Sequence, residues 1–227
     1  MTHPDKTAIR DAATIILIRD PGGTPSVLMG QRGAKAAFMP SKYVFPGGAV
    51  DPQDHGVDLA GTLPVPCGRK LVMRPITAPA PSAETLAAAA IRELWEETGL
   101  RLGRFGTAPS DPPSEWKTLY ASGVCPDASA LRFVFRAVTP PGRPRRFDAR
   151  FFLAPASALL DDPDDFTKAS DELSHLHWVP LSEARALDLP FVTEVALAEI
   201  QALLPALGAP QDVPFILNDD VSRIEML

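Results

Sequence analysis

The chain has 227 residues, and 22 Lys+Arg against 28 Asp+Glu give a formal net charge of −6, with 45% apolar and 22% charged residues. That is the make-up of a globular chain, and its acidic balance argues against sequence-independent nucleic-acid binding, which rests on clustered Lys and Arg. Cys67 and Cys125 are too few for a disulfide framework or a four-ligand zinc site; no apolar run reaches the ~18 residues of a membrane span, and Met1–Lys6 has no signal-peptide core, so a cytoplasmic location is expected.

The 25 prolines, more than twice the average usage of about 5%, point to stiff connections rather than a bundle of long helices. Ala13–Arg19 is a β-branched run of the kind buried in a sheet, and the turn formers of Asp20–Pro25 make Ser26–Arg32 its hairpin partner. A third short strand is expected at Lys42–Phe45, ending in Pro46-Gly47-Gly48. From Asp51 to Pro81 proline and glycine recur, and only a short helix around His55–Ala60 is expected there.

Ser82 to Thr98 carries the strongest helix signals. Ser82 is an N-cap, Glu84 complements the macrodipole in the first turn, Gly99 is a natural C-terminal stop, and Ala87, Ile91 and Leu94 form a core stripe. Further on, a helix is expected at Ser114–Ser122, strands at Leu131–Val138, Ala149–Ala154 and Leu176–Val179, and helices at Ser182–Leu187 and Thr193–Leu204. The mixture predicts one α/β (α+β) domain.

At about 100° per residue, Glu93, Glu96 and Glu97 share one arc of the Ser82–Thr98 helix. Such a face is commonly solvated surface; partly buried, three carboxylates repel unless a cation neutralises them. An all-oxygen donor set suits Mg²⁺ or Mn²⁺ rather than zinc.

Glu84, seven residues, then Arg92-Glu93-Leu94-Trp95-Glu96-Glu97-Thr98-Gly99-Leu100 reproduce E-x7-R-E-U-x-E-E-x-G-U, where U is bulky and aliphatic. This resembles the Nudix box of hydrolases that cleave nucleoside diphosphates linked to another moiety, and Phe45-Pro46-Gly47-Gly48 resembles the tetrapeptide leading into it. The family places five residues between the second glycine and the first glutamate; here 35 stand between Gly48 and Glu84. The expectation is an insertion over 51–81 that loops out and leaves the site intact, since loop length costs stability only logarithmically. The resemblance implies a Nudix fold over 8–207, a mixed sheet sandwiched between helices, with a C-terminal tail at 208–227.

It also implies a metal site of Glu93, Glu96 and Glu97 with the Gly47 or Gly48 carbonyl, Mg²⁺ or Mn²⁺ as cofactor, and Arg92 pairing with Glu84 or Glu96 to orient a glutamate. Arg32, Phe38-Met39-Pro40, Val44–Gly48 and Arg146–Phe152 are similar to the coenzyme A diphosphatase branch, closest to its mammalian peroxisomal-type subgroup with a long insertion in the box. Coenzyme A or an acyl-CoA is then the leading small-molecule substrate, with ADP-ribose, NADH, another nucleotide, or nucleotide sensing without hydrolysis as alternatives. Arg32, Lys35 and Lys42 are the candidate phosphate cations, with Phe45, Gly47 and Gly48 beside them. Glu172 is the first candidate general base, Glu97 and Asp148 the others; His175 and His177 read as strand surface. The insertion could cover the pocket or serve as a homodimer contact. No nucleic acid or membrane partner is expected.

Overall fold

The structure is a computed structural model that describes residues 8–36, 38–207, 212–218 and 221–227. Its strands are β1 (Ile9–Arg19), β2 (Ser26–Arg32), β3 (Tyr43–Val44), β4 (Gly47–Ala49), β5 (Gly103–Phe105), β6 (Val124–Pro126), β7 (Arg132–Val138), β8 (Arg146–Pro155), β9 (Leu173–Pro180), β10 (Pro214–Asn218) and β11 (Ser222–Met226). The helices are α1 (Val65–Leu71), α2 (Ala83–Thr98), α3 (Lys117–Ala121) and α4 (Phe191–Leu203). Nine strands form one mixed sheet, in the order β11-β10-β7-β8-β1-β2-β3, with β4 added to β1 and β9 to β2. β1 is the axis: it runs parallel to β8 from Ile9↔Arg146 to Ile18↔Pro155 and antiparallel to β2 and β4.

The apolar run of β1 is buried on both faces, as a central strand demands. Ala13, Ile15 and Leu17 join the core under α2, while Ile16 and Ile18 join a second core under α4. Helices on both sides of a mixed sheet make the predicted sandwich, in one α/β domain. The alanines Ala87–Ala90 are all buried, so α2 lies close against β1 and β4. Among the described residues no helix is long and apolar enough to cross a membrane.

Four elements depart from expectation, the first being the Ser182–Leu187 helix, which is only a 3-10 turn at Ala184–Ala186. The His55–Ala60 helix is absent: Asp51 caps a 3-10 turn at Pro52–Asp54 instead, and Gly56 leaves helical space at φ +76°. α1 forms despite Pro66 and Gly68, because proline is tolerated in the first helical turn and the helix buries Leu71 in the core under α2. The insertion therefore does not loop out: Val57, Leu63 and Leu71 are buried in the α2 core. In the segment set apart as a tail, residues 208–211 and 219–220 lie outside the described residues, but β10 pairs parallel to β7 and antiparallel to β11. Those strands extend the sheet, and their identity depends on a partner some 80 residues upstream.

Candidate active site

β4 and the last two turns of α2 build the site together. Gly47 pairs with Thr14 of β1, so close that a Cβ would stand 2.7 Å from the Ala13 carbonyl oxygen; a Cβ on Gly48 would overlap the Glu93 carboxylate. Two glycines thus let a strand pass between β1 and a carboxylate-bearing helix. The Gly47 N–H donates to Glu97 Oε2 at 2.8 Å, while Glu97 Oε1 is buried without a hydrogen-bond partner. Glu97 is 1% exposed, and the side chains of Glu93 and Glu96 are 12% and 36% exposed, so the arc runs from core to solvent.

Arg92 holds the opposite edge. Its Nε and Nη2 donate to Asp54 Oδ1 and Oδ2 at 2.8 and 3.0 Å, and Nη2 also reaches the Ala49 carbonyl at 3.0 Å. Its Nη1 donates to both Glu93 Oε1 (2.9 Å) and Glu96 Oε2 (2.8 Å). Burial works against the Arg92 charge, but the Asp54 hydrogen bond and the charges of Glu93, Asp54 and Glu96 prevail and raise its pKa.

Burial, then the neighbouring Glu93 charge, lifts the Glu97 carboxyl well above the ordinary carboxylate range against the Gly47 N–H. Burial pushes Glu93 up to about 7 against Arg92, and raises Glu96 as well. Buried carboxylates that resist ionisation, one with an orphan oxygen, fit a hard cation taking oxygen ligands. Among the described residues, however, no three His, Cys, Asp or Glu side chains converge on one point. Arg92 draws Glu93 and Glu96 to itself, and Gly47 takes up one oxygen of Glu97.

The Glu93 shift predicts a pH dependence of the metal-free protein. Its folded pKa lies above the unfolded value of 4.5, so between about pH 4.5 and 7 the folded state binds more protons. Stability therefore falls as pH rises through that window, by about 3 kcal/mol for this group. Melting temperatures of wild type and Glu93→Gln should converge at pH 5 and separate at pH 8 in favour of Gln. Mg²⁺ or Mn²⁺ should raise the wild-type value more at pH 8 than at pH 5. Equal melting of the two proteins at both pH values would contradict the assignment.

Arg32 and Glu172 stand beside this cluster, because β2 pairs with β9 at Arg32↔Leu173. Arg32 Nη2 lies 3.4 Å from Glu172 Oε1, Arg32 Nε is buried without a hydrogen-bond partner, and both residues act electrostatically on Glu97. Gly47, Gly48, Glu93, Glu97, Arg32 and Glu172 are thus gathered, with Glu96 at the solvent edge.

Other expected residues are elsewhere. Phe45 is 3% exposed in the core under α4, where its ring is unavailable to a ligand. Lys35 is exposed on a turn and, among the described residues, has no ion-pair partner, whereas Lys42 is taken by Asp188. Asp148 is fully buried, its carboxylate held by Arg136 and Arg150, so it cannot meet an attacking water. Glu84 is exposed in the first turn of α2 and does not pair with Arg92. The residue the sequence reading missed is Asp54, whose signal was its spacing: five residues separate it from Gly48. His175 and His177 are exposed strand residues.

A helix laying three carboxylates against a Gly-Gly strand, on a mixed sheet covered by helices, defines an α/β protein with an acidic site at the end of its longest helix. The NUDIX domain model matches residues 8–199, and the chain belongs to the Nudix family. It is 30% identical over 187 residues to nudix hydrolase 7 of Caenorhabditis elegans, covering 77% of this chain and 52% of that protein. It is 28% identical over 236 residues to an acyl-coenzyme A diphosphatase of Gallus gallus, covering 77% and 62%. The chain spans about half to three-fifths of the length of these curated relatives. A crystal structure of a NUDIX hydrolase from Alicyclobacillus acidocaldarius matches at 29% identity with a TM-score of 0.62, covering 90% of this chain and 99% of the other.

Proposed function

We propose that the chain is a divalent-metal-dependent pyrophosphatase that hydrolyses a nucleoside diphosphate linked to another moiety, with coenzyme A or an acyl-CoA as substrate. The observation carrying this reading is Glu97: a carboxylate driven into the core, fixed by one glycine N–H and left with a bare oxygen beside Glu93. A helix gains nothing in stability from such a group, so its value lies in chemistry. The likeness to the Gallus gallus acyl-coenzyme A diphosphatase supports the substrate class.

Glu93, Glu96 and Glu97, with a Gly48 or Gly47 carbonyl, would hold Mg²⁺ or Mn²⁺. When bound, the cation supplies positive charge against the diphosphate and makes water more acidic. Arg32 offers its Nη groups to the phosphate oxygens, a planar donor matched to that geometry. Glu172, half exposed and within reach of solvent, accepts the proton of the attacking water. One phosphorus gains a bond to the water oxygen while its bond to the bridging oxygen breaks. From coenzyme A the products are 3′,5′-ADP and 4′-phosphopantetheine.

Chromatography of reactions with coenzyme A, acetyl-CoA, ADP-ribose and NADH, each with Mg²⁺ or Mn²⁺ or with chelator, tests this. Metal-dependent cleavage of the two CoA compounds is expected. Cleavage of only ADP-ribose or NADH would keep the pyrophosphatase and discard the CoA substrate. No turnover of any compound across a wider panel of nucleoside diphosphate derivatives would discard both.

A further inference from the structure

Asp54 belongs to the insertion, yet its side chain is fully buried against the helix that carries the candidate metal ligands. Its Oδ2 accepts both from the Arg92 Nη2 and from the Asp51 N–H at 2.8 Å, while Asp51 Oδ1 accepts from the Gln53 N–H. The capped turn of Pro52–Asp54 therefore fixes the carboxylate before it meets the arginine.

A guanidinium has five N–H groups in one plane, and in Arg92 they meet five acceptor contacts. Three go to the insertion side, to Asp54 twice and to the Ala49 carbonyl; two, both from Nη1, go to Glu93 and Glu96. The forked edge of the arginine is thus spent on Asp54, and only a single nitrogen faces the two glutamates. Without Asp54 that fork is free to close on Glu93 or Glu96, because a bidentate pair is the strongest contact it can make. A glutamate so captured competes with a cation. Glu84 cannot do this work: eight residues before Arg92 it lies about 12 Å away along the axis and roughly 80° round the helix, and it is exposed.

We propose that Asp54 is a positioning residue for the metal site, occupying the forked edge of Arg92 so that Glu93 and Glu96 stay available to a divalent cation. The insertion is then a working part of the site, through its first turn, rather than an appendage to it. This rests on the metal-dependent reading of the function.

The test is Mn²⁺ affinity, read from the free Mn²⁺ resonance signal, together with kcat and KM. Asp54→Asn should bind Mn²⁺ about 10–100-fold more weakly, the range for residues that orient metal ligands. Its kcat should fall with little change in KM, and Asp54→Glu, which keeps the charge, should recover part of both. Glu84→Gln should match wild type in both measurements. The double variant Asp54→Asn/Arg92→Gln carries no unpaired buried arginine, so it reports even where Asp54→Asn fails to fold. Its Mn²⁺ affinity should equal that of Arg92→Gln alone, since both residues act through one contact. Wild-type Mn²⁺ affinity in folded Asp54→Asn, multiplied losses in the double variant, or a loss in Glu84→Gln would each overturn the proposal. No saturable Mn²⁺ binding by wild type would overturn this proposal and the proposed function together. Mn²⁺ binding without turnover of any substrate would sink the function alone, and the affinity series would still decide Asp54.

Discussion

Replacing Glu97 by glutamine should all but abolish hydrolysis while making the metal-free protein more stable. The carboxylate is buried, raised well above the ordinary range by burial and by Glu93, and has one oxygen with no partner. Glutamine keeps the shape and still accepts the Gly47 N–H through its carbonyl. Its amide replaces the orphan oxygen and donates toward a neighbouring carboxylate instead of repelling it. Relief of an unsatisfied buried polar atom is worth about 1–3 kcal/mol, and because burial and Glu93 oppose ionisation of Glu97 the gain should be larger at pH 8 than at pH 5. The same exchange removes a charged ligand and a candidate proton acceptor, and either loss costs about 10²–10⁴-fold in rate. Activity and melting temperature should therefore move in opposite directions, as happens where a site is kept strained for function. A Gln variant that retained a tenth of the wild-type rate, or melted below wild type at pH 8 without metal, would refute this account of Glu97.

The parts of the site legible in the sequence are those encoded locally. Glu93, Glu96 and Glu97 fall on one arc because helix periodicity puts them there, and Ser82 and Gly99 bracket α2 with caps that need no tertiary partner. Ser82 Oγ accepts from the Thr85 N–H, and Gly99 sits at φ +74°, as those residue types require. β1 was legible for a similar reason, since a strand buried on both faces leaves a continuous apolar run. What escaped depends on contacts distant in sequence. Asp54 meets Arg92 across 38 positions, and only its distance of five residues from Gly48 marks it in the sequence. Phe45 was read with the glycines that follow it, yet its ring turns into the core on the other face of the sheet. α1 was hidden by Pro66 and Gly68, residues that disfavour a helix intrinsically and are overruled here by the burial of Leu71 in the core under α2.

The insertion's other anchor carries the largest expected effect on stability. In the parallel pairing of β1 with β8, Asp11 and Asp148 stand directly opposite each other, an arrangement that repels unless cations intervene. Arg150 bridges the two, and Arg136 closes on Asp148 with bonds of 2.8 and 2.6 Å. The remaining donors of Arg136 reach the Met73 and Arg74 carbonyls of the insertion at 2.8 and 3.0 Å, and its guanidinium lies 4.1 Å from the centre of the Phe215 ring. One fully buried arginine thus joins the sheet, the insertion and β10. In Arg136→Met the apolar stem survives, but the buried Asp148 and the partly exposed Asp11 are left with a single arginine and two carbonyls lose their donor. Burial lowers the Arg150 pKa, and the Arg136 charge adds to that effect, so the substitution also relieves some repulsion. That relief is the smaller quantity, since the four groups together are neutral and the variant cluster is not. Breaking a buried pair from one side costs about 3–5 kcal/mol, which at this chain length lowers the melting temperature by on the order of 10 °C. Proteolysis between Val72 and Pro81 should quicken, because the Met73 and Arg74 carbonyls lose the donor that ties them to β7. Adding Asp148→Leu should restore part of the loss, since it removes the charge that Arg136→Met leaves uncompensated. A single variant melting within about two degrees of wild type, or a double variant no better than the single, would mean that the cluster is not what fastens the insertion to the sheet.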